Sequence, residues 1–189
     1  MLGRHPLVGA LLLQGGVILL ALGLAWMFGL SPWHNLEWSW PALFWSLVAT
    51  VPLAAMLVAF PFIRSQWARD IRRLIEEFLV PLFLRAPAGS VVLVSILAGV
   101  GEELLFRGVI QDGLTEPLGV VFALVAAAVL FGLAHAVSLA YFVIAALMGL
   151  YLGWIYLQTG NLLIPIIVHA LYDWIAIRYY LHRRRSSHR

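Results

Sequence analysis

The sequence predicts an all-α membrane protein: a polytopic transmembrane helical bundle of about six spans with a cytoplasmic interfacial amphipathic helix. Three observations predict this class. Of the 189 residues, 63% are hydrophobic and only 11% are charged, shares that differ strongly from those of a soluble globular domain. The apolar residues form runs close to the roughly 20 residues that cross a bilayer. Most arginines lie between those runs, where topology signals are found. A single integral membrane domain over residues 1–189 is therefore expected.

Six apolar runs account for the predicted spans. They cover residues 6–30, 41–63, 91–114, 118–136, 139–157 and 162–181. The first run is too long for the hydrophobic region of a signal peptide and has no obvious small-residue cleavage site, so it is interpreted as a span. The domain then has two parts. Residues 1–90 hold two spans and the amphipathic segment, and residues 91–181 hold a four-helix core.

Arginine supplies all twelve basic charges, and the sequence contains no cysteine. Disulfides, thiol catalysis and thiolate metal sites are therefore excluded. The net charge of +3 does not indicate a nucleic-acid partner, because the arginines are confined mostly to short stretches between apolar runs. In a six-span topology, eleven of them fall on one side, which the positive-inside rule makes the cytoplasm. Both termini are expected there, in a multi-pass protein of the cell inner membrane. The eleven are Arg4, Arg64, Arg69, Arg72, Arg73, Arg85, Arg178, Arg183, Arg184, Arg185 and Arg189.

The segment between the second and third spans has the pattern of an amphipathic helix. Apolar residues recur there at helical spacing, and charged residues occupy the other face. This predicts a helix that lies in the membrane interface and binds anionic lipid, with a substrate gate as the less common alternative. The apolar set is Trp67, Ile71, Leu74, Ile75, Phe78, Leu79 and Leu82, and the charged set is Arg69, Asp70, Arg72, Arg73, Glu76 and Glu77.

Ionisable residues lie within the last four predicted spans, where each charge costs at least a few kcal/mol. Among them are Glu102, Glu103, Arg107, His135, His169 and Asp173. Glu103 and Arg107 are four residues apart and can form an ion pair that merely fixes helix packing. His169 and Asp173 also share a helix face. Convergence of groups from three helices around a small wet cavity would satisfy them together and indicates a functional site.

Hydrolysis is the chemistry that suits these groups. A carboxylate in an apolar surround can act as a general base on water, and imidazoles can orient that water or stabilise an oxyanion. Alternatively, two histidines and a carboxylate could hold Zn²⁺ and activate its bound water. The tentative ligands are His135, His169 and Asp173. Ser95 and Ser138 lack the neighbours of a serine nucleophile.

Three motifs resemble those of the CPBP intramembrane proteases, the CAAX protease and bacteriocin-processing (Abi) family. Residues 102–107, EELLFR, are similar to its E-E-x-x-x-R motif. Residues 131–135, FGLAH, are similar to F-x-x-x-H, and residues 169–173, HALYD, to H-x-x-x-N/D. The motifs occur in the family order, and the resemblance covers residues 100–175.

The resemblance implies an intramembrane endopeptidase in which residues 91–181 form the catalytic core. Glu102 would be the general base and His135 its partner in activating water, while His169 and Asp173 would form the oxyanion or metal side. Many family members that cleave CAAX proteins have Asn at the last position, and an ionised Asp173 cannot donate a hydrogen bond to an oxyanion. Three roles remain open for Asp173: it is protonated, it orients His169, or it helps to bind a metal. The implied substrate is a hydrophobic peptide or a membrane-anchored protein tail.

Two other function classes fit the same polar residues. A non-catalytic immunity or scaffold protein could keep them as structure. A proton-coupled transporter is less favoured, because the sequence shows neither paired repeats nor interrupted helices.

The arginine distribution gives a test of topology. Cysteines introduced at Trp38 and at Ser187 are expected to react with an impermeant thiol reagent from opposite faces of the membrane, because five spans would separate them. The chain has no native cysteine, so the parent protein is the unlabelled control. Labelling of both positions from the same face would contradict the six-span topology.

Overall fold

The computed structural model describes residues 6–84 and 86–186, which form helices joined by short loops. We number them α1 Pro6–Phe28, α2 Trp40–Ala59, α3 66–84, α4 90–118, α5 Val120–Ala134, α6 Leu139–Thr159 and α7 Leu163–Ser186. No strand occurs in this part of the chain, and the all-α membrane bundle is confirmed. Arg4, Arg85, Ser187 and Arg189, used in the topology argument, lie outside the described residues, as does the side chain of Arg185.

Two of the helices contain a π-helical stretch. In α3, Gln66–Leu74 and Val80–Leu84 are α-helical and Ile75–Leu79 is π-helical. In α4, Ser90–Glu103 is α-helical, Leu104–Gln111 is π-helical and Asp112–Leu118 is α-helical again. π-Helical segments are rare and are frequently found at functional sites. The one in α4 begins directly after the two adjacent glutamates.

Local sequence signals set several helix ends. Ser39 caps α2 by accepting a hydrogen bond from the backbone N–H of Ala42 at 3.1 Å, and Ser138 caps α6 in the same way from Tyr141 at 3.2 Å. At the other end of α6, Gly160 adopts a left-handed conformation with φ of +61°, which glycine adopts without strain. This cap turns the chain directly into α7.

Length and composition alone identify three membrane-spanning helices among the described residues: Leu7–Phe28, Trp40–Phe62 and Leu139–Thr159. Helix α5 is apolar but has only 15 residues. Helices α4 and α7 are long enough, but they carry the ionisable residues of the last spans. Six spans and the division at residue 90 therefore stay predictions, although helices occur at all six expected positions.

Helices approach closely where glycine faces a neighbouring backbone. A Cβ atom added at Gly99 of α4 would lie 2.7 Å from the carbonyl oxygen of Ile166 in α7, and one at Gly132 of α5 would lie 2.9 Å from that of Phe142 in α6. Small residues permit such contacts between membrane helices. These contacts bring α4 against α7 and α5 against α6.

The two ends of the bundle are held by different contacts. At one end, Asn35 in the α1–α2 loop accepts a hydrogen bond from Leu162 N, and its amide donates to the Tyr156 hydroxyl. At the other, the buried face of α3 packs with the last turns of α7 in a cluster that includes Val80, Phe83, Ile177 and Leu181. The amphipathic helix therefore lies at the end opposite the α1–α2 loop. Trp67 and Phe78 of its apolar set remain exposed, as expected for groups that meet lipid.

Candidate active site

A fully buried ion pair lies at the centre of α4. Arg107 Nη1 donates to Glu103 Oε1 at 3.0 Å, and the exposed fractions of the two side chains are 1% and 0%. The guanidinium also donates from Nη2 to the Gly149 carbonyl of α6 at 2.7 Å, and it lies 5.0 Å from the centre of the Phe131 ring of α5. One arginine thus links three helices, which is the packing role expected from the sequence.

Glu103 has a second partner that sequence spacing did not reveal. Its Oε1 atom accepts a hydrogen bond from His169 Nδ1 of α7 at 2.7 Å. Because Glu103 is paired with Arg107, it is the acceptor, and the proton lies on Nδ1 of the ring. The contact fixes the orientation of His169 and directs Nε2 away from Glu103. No local pattern could have found this bond, since 66 residues separate the two groups.

His135 is oriented by the end of its own helix. Helix α5 ends at Ala134, and His135 Nδ1 donates to the Phe131 carbonyl oxygen one turn earlier at 2.8 Å. The imidazole also stacks on the Phe131 ring, with ring centres 4.6 Å apart and an angle of 26° between the planes. A carbonyl only accepts, so Nδ1 carries the proton here too. The Nε2 atom is directed towards α4.

The structure brings the four predicted site residues together, with His135 and His169 facing Glu102 and Asp173 beside His169. Glu102 Oε2 lies 3.5 Å from His135 Nε2 and 3.9 Å from His169 Nε2. Asp173 Oδ2 lies 3.6 Å from His169 Nε2. The ring of His169 is therefore held by Glu103 rather than by Asp173, which lies beyond hydrogen-bond distance. The site is partly open, since the side chains of His135 and Asp173 are 29% and 30% exposed.

The four converging atoms are all acceptors when both rings are neutral. Glu102 Oε2 and Asp173 Oδ2 are carboxylate oxygens, and the two Nε2 atoms carry lone pairs because the protons are on Nδ1. Acceptors that face one another at these distances repel, unless a hydrogen-bond donor bridges them or one of the imidazole rings takes up a second proton. Glu102 Oε2 is buried and has no hydrogen-bond partner among the described residues. The cluster is thus arranged to bind a small hydrogen-bond donor such as water.

The same atoms are of the types that zinc accepts, imidazole nitrogen and carboxylate oxygen. However, within residues 6–84 and 86–186, no group of three or more His, Cys, Asp or Glu side chains is arranged so that it could hold a metal ion. The tentative ligands His135, His169 and Asp173 do not form such a group. We therefore derive no step through a metal, and metal dependence stays a prediction.

Sequence reasoning missed one site residue, Gln14 of α1. Its Nε2 atom donates to Glu102 Oε1 at 3.2 Å. The three motifs lie within residues 102–173 and carry no information about α1. The available signal was the isolated amide itself, since a polar side chain is costly within an otherwise apolar helix.

Comparison with known protein families gives a match. The family model described as type II CAAX prenyl endopeptidase Rce1-like matches residues 84–175. This range contains all three motifs and excludes α1 and α2. Neither the curated proteins nor the solved structures provide a match. The resemblance to intramembrane proteases of the CPBP type is confirmed.

The ion pair gives a prediction about stability. Arg107→Ala is expected to destabilise the purified protein by about 3–5 kcal/mol, because it strands the buried Glu103 carboxylate without its cation. Thermal unfolding in detergent measures this effect. Arg73→Ala, an exposed arginine of α3, is the matched control and should melt like wild type. Equal melting temperatures for Arg107→Ala and wild type would contradict a structural role for the pair.

Proposed function

From the match of residues 84–175 to the Rce1-like family of type II CAAX prenyl endopeptidases, we propose that the chain cleaves a peptide bond with water activated by Glu102 and His135. The substrate is a membrane-associated peptide or the tail of a membrane-anchored protein. The observation that carries the proposal is the position of Glu102 Oε2, which faces both imidazole Nε2 atoms and has no hydrogen-bond donor within residues 6–84 and 86–186.

In the proposed reaction, a water molecule bridges Glu102 Oε2 and His135 Nε2 from the open side of the site. Glu102 removes a proton as the water oxygen attacks the carbonyl carbon of the scissile bond. The new C–O bond produces a tetrahedral oxyanion. Collapse of this intermediate breaks the C–N bond, and the proton held by Glu102 passes to the leaving amine. Water is thus divided between the new carboxyl and amino ends of the product.

The oxyanion develops on the side of His169 and Asp173. A ring whose Nδ1 is bonded to Glu103 can present only Nε2 to the substrate, and it donates there when it holds a second proton. The Asp173 carboxylate, 3.6 Å from that nitrogen, offsets the positive charge. In this arrangement the charge of Asp173 supports a cationic His169, and Asp173 itself need not donate.

The setting of the reaction follows from the membrane fold. We propose that the chain is a multi-pass protein of the inner membrane with cytoplasmic termini, and that the substrate approaches along the bilayer with a hydrophobic segment. Peptides with and without a prenyl group distinguish a lipid-modified substrate from a simple hydrophobic one. The interfacial helix α3 binds anionic lipid on the cytoplasmic face, where the termini lie.

The assigned base gives a direct prediction. Glu102→Gln is expected to lower peptide cleavage by at least about 100-fold, because the amide cannot take a proton from water. A fluorogenic hydrophobic peptide and purified protein in lipid vesicles measure the rate. Glu116→Gln makes the same change on an exposed residue of α4 and should leave the rate unchanged.

Two results would contradict the glutamate mechanism. Full turnover by Glu102→Gln would show that the base is another group. Activity that disappears after chelator treatment and returns with Zn²⁺ would show that a metal performs the activation. If the wild type cleaves no peptide, the non-catalytic immunity or scaffold role replaces the proposal.

Asp173 is tested by two substitutions that separate charge from donation. Asp173→Asn is expected to lower the rate clearly, since it removes the negative charge beside His169 but keeps the shape. If Asp173 were instead a protonated donor to the oxyanion, the amide of Asn would replace it, and Asp173→Ala would lose about 3 kcal/mol of transition-state stabilisation. Cleavage rates for both variants decide the question. An Asp173→Asn protein as active as wild type would rule out the charged role.

A further inference from the structure

Helix α1 contributes a side chain to the site although it lies outside the family match at residues 84–175. We propose that Gln14 is a positioning residue, which holds the carboxylate of Glu102 so that Oε2 faces the two imidazoles. The inference rests on the proposed function, since it assigns the residue that orients the proposed base. It extends the site beyond the three motifs to a helix that the motifs do not include.

Gln14 is isolated in chemical terms. The other residues of α1 between Pro6 and Phe28 are apolar apart from the indole N–H of Trp26, which is exposed. Membrane hydrocarbon offers no hydrogen-bond partner, so a glutamine in such a helix is costly unless a protein group pairs with it. Gln14 Nε2 pairs with Glu102 Oε1 at 3.2 Å. It is the one hydrogen-bond donor that Glu102 has among the described residues.

The packing of α1 on α4 holds this amide in place. A Cβ atom added at Gly101, next to Glu102, would lie 2.9 Å from Ile18 Cγ1 and 3.4 Å from the Gln14 carbonyl oxygen. About two and three turns beyond Gln14 along α1, Ala21 and Ala25 are buried in the same core as Leu105 of α4. The helix backbones are therefore in close contact at the level of the site, and Gln14 has little freedom to move away.

A neutral donor suits the base better than a cation would. Glu103 is paired with Arg107, so its charge is neutralised and it serves as a fixed acceptor for His169. Gln14 orients Glu102 through one oxygen without adding charge, and it leaves the second oxygen available for water. The two adjacent carboxylates thus differ in role because their partners differ. Gln14 Oε1 is itself buried and has no hydrogen-bond donor in the part of the chain that the structure describes, and water in the site can satisfy it.

The inference is tested with Gln14→Met, which keeps the length of the side chain and removes the donor. Loss of a hydrogen bond to a charged group is expected to lower kcat about 10- to 100-fold. KM should change less than about twofold, because Gln14 acts on the base and not on substrate affinity. Leu13→Met, on the exposed face of the same helix, is the matched control and should retain wild-type kcat, KM and melting temperature.

Gln14→Leu also removes the hydrogen-bond donor. It serves as a second variant in case Gln14→Met folds poorly. If the wild type is active and depends on Glu102, but both Gln14 variants keep the wild-type kcat, this inference alone is overturned. It is also overturned if kcat falls in both variants together with the melting temperature, because a packing role produces that result. A wild type without peptidase activity, or one that does not need Glu102, would overturn the proposed function itself.

Discussion

The bundle depends on the chain of contacts from Arg107 through Glu103 to His169. Each of these groups is buried and would be costly alone. Together they satisfy one another and tie α4 to α6 and α7, and the guanidinium lies near the Phe131 ring that also stacks on His135. Both histidines are consequently fixed by contacts that use Nδ1, which leaves both Nε2 atoms for the site. Structure and proposed chemistry therefore share one network, and its stability is a condition for the geometry around Glu102.

Much of this architecture could be predicted from the sequence, since composition and the length of apolar runs restrict a chain to few arrangements in a bilayer. The all-α membrane bundle and the amphipathic helix before residue 84 follow from patterns within single helices. The pairing of Glu103 with Arg107 also follows, because a spacing of four residues is local information. Identification of Glu102, His135, His169 and Asp173 depended on motif order and on the rarity of ionisable groups in spans.

The contacts between helices could not be predicted, because they depend on how each helix is rotated about its axis. Glu103 reaches His169 across 66 residues and Gln14 reaches Glu102 across 88, and no periodicity encodes either bond. The π-helical stretch after Glu103 is equally hidden, yet it changes the direction of every side chain that follows it in α4. Hydropathy also cannot identify α4 and α7 as membrane spans with the same clarity as α1, α2 and α6, because α4 and α7 carry the ionisable groups of the site.

The shortness of α5 has a consequence for the surrounding lipid. Fifteen residues of α-helix extend about 22 Å, whereas the hydrocarbon core of a bilayer is about 30 Å thick. Such hydrophobic mismatch is relieved when the bilayer thins locally or headgroups bend inward. The end of α5 that carries His135 would then meet hydrated headgroups at a depth that is normally dry. Such thinning would shorten the path of water to Glu102 without a pore through the protein.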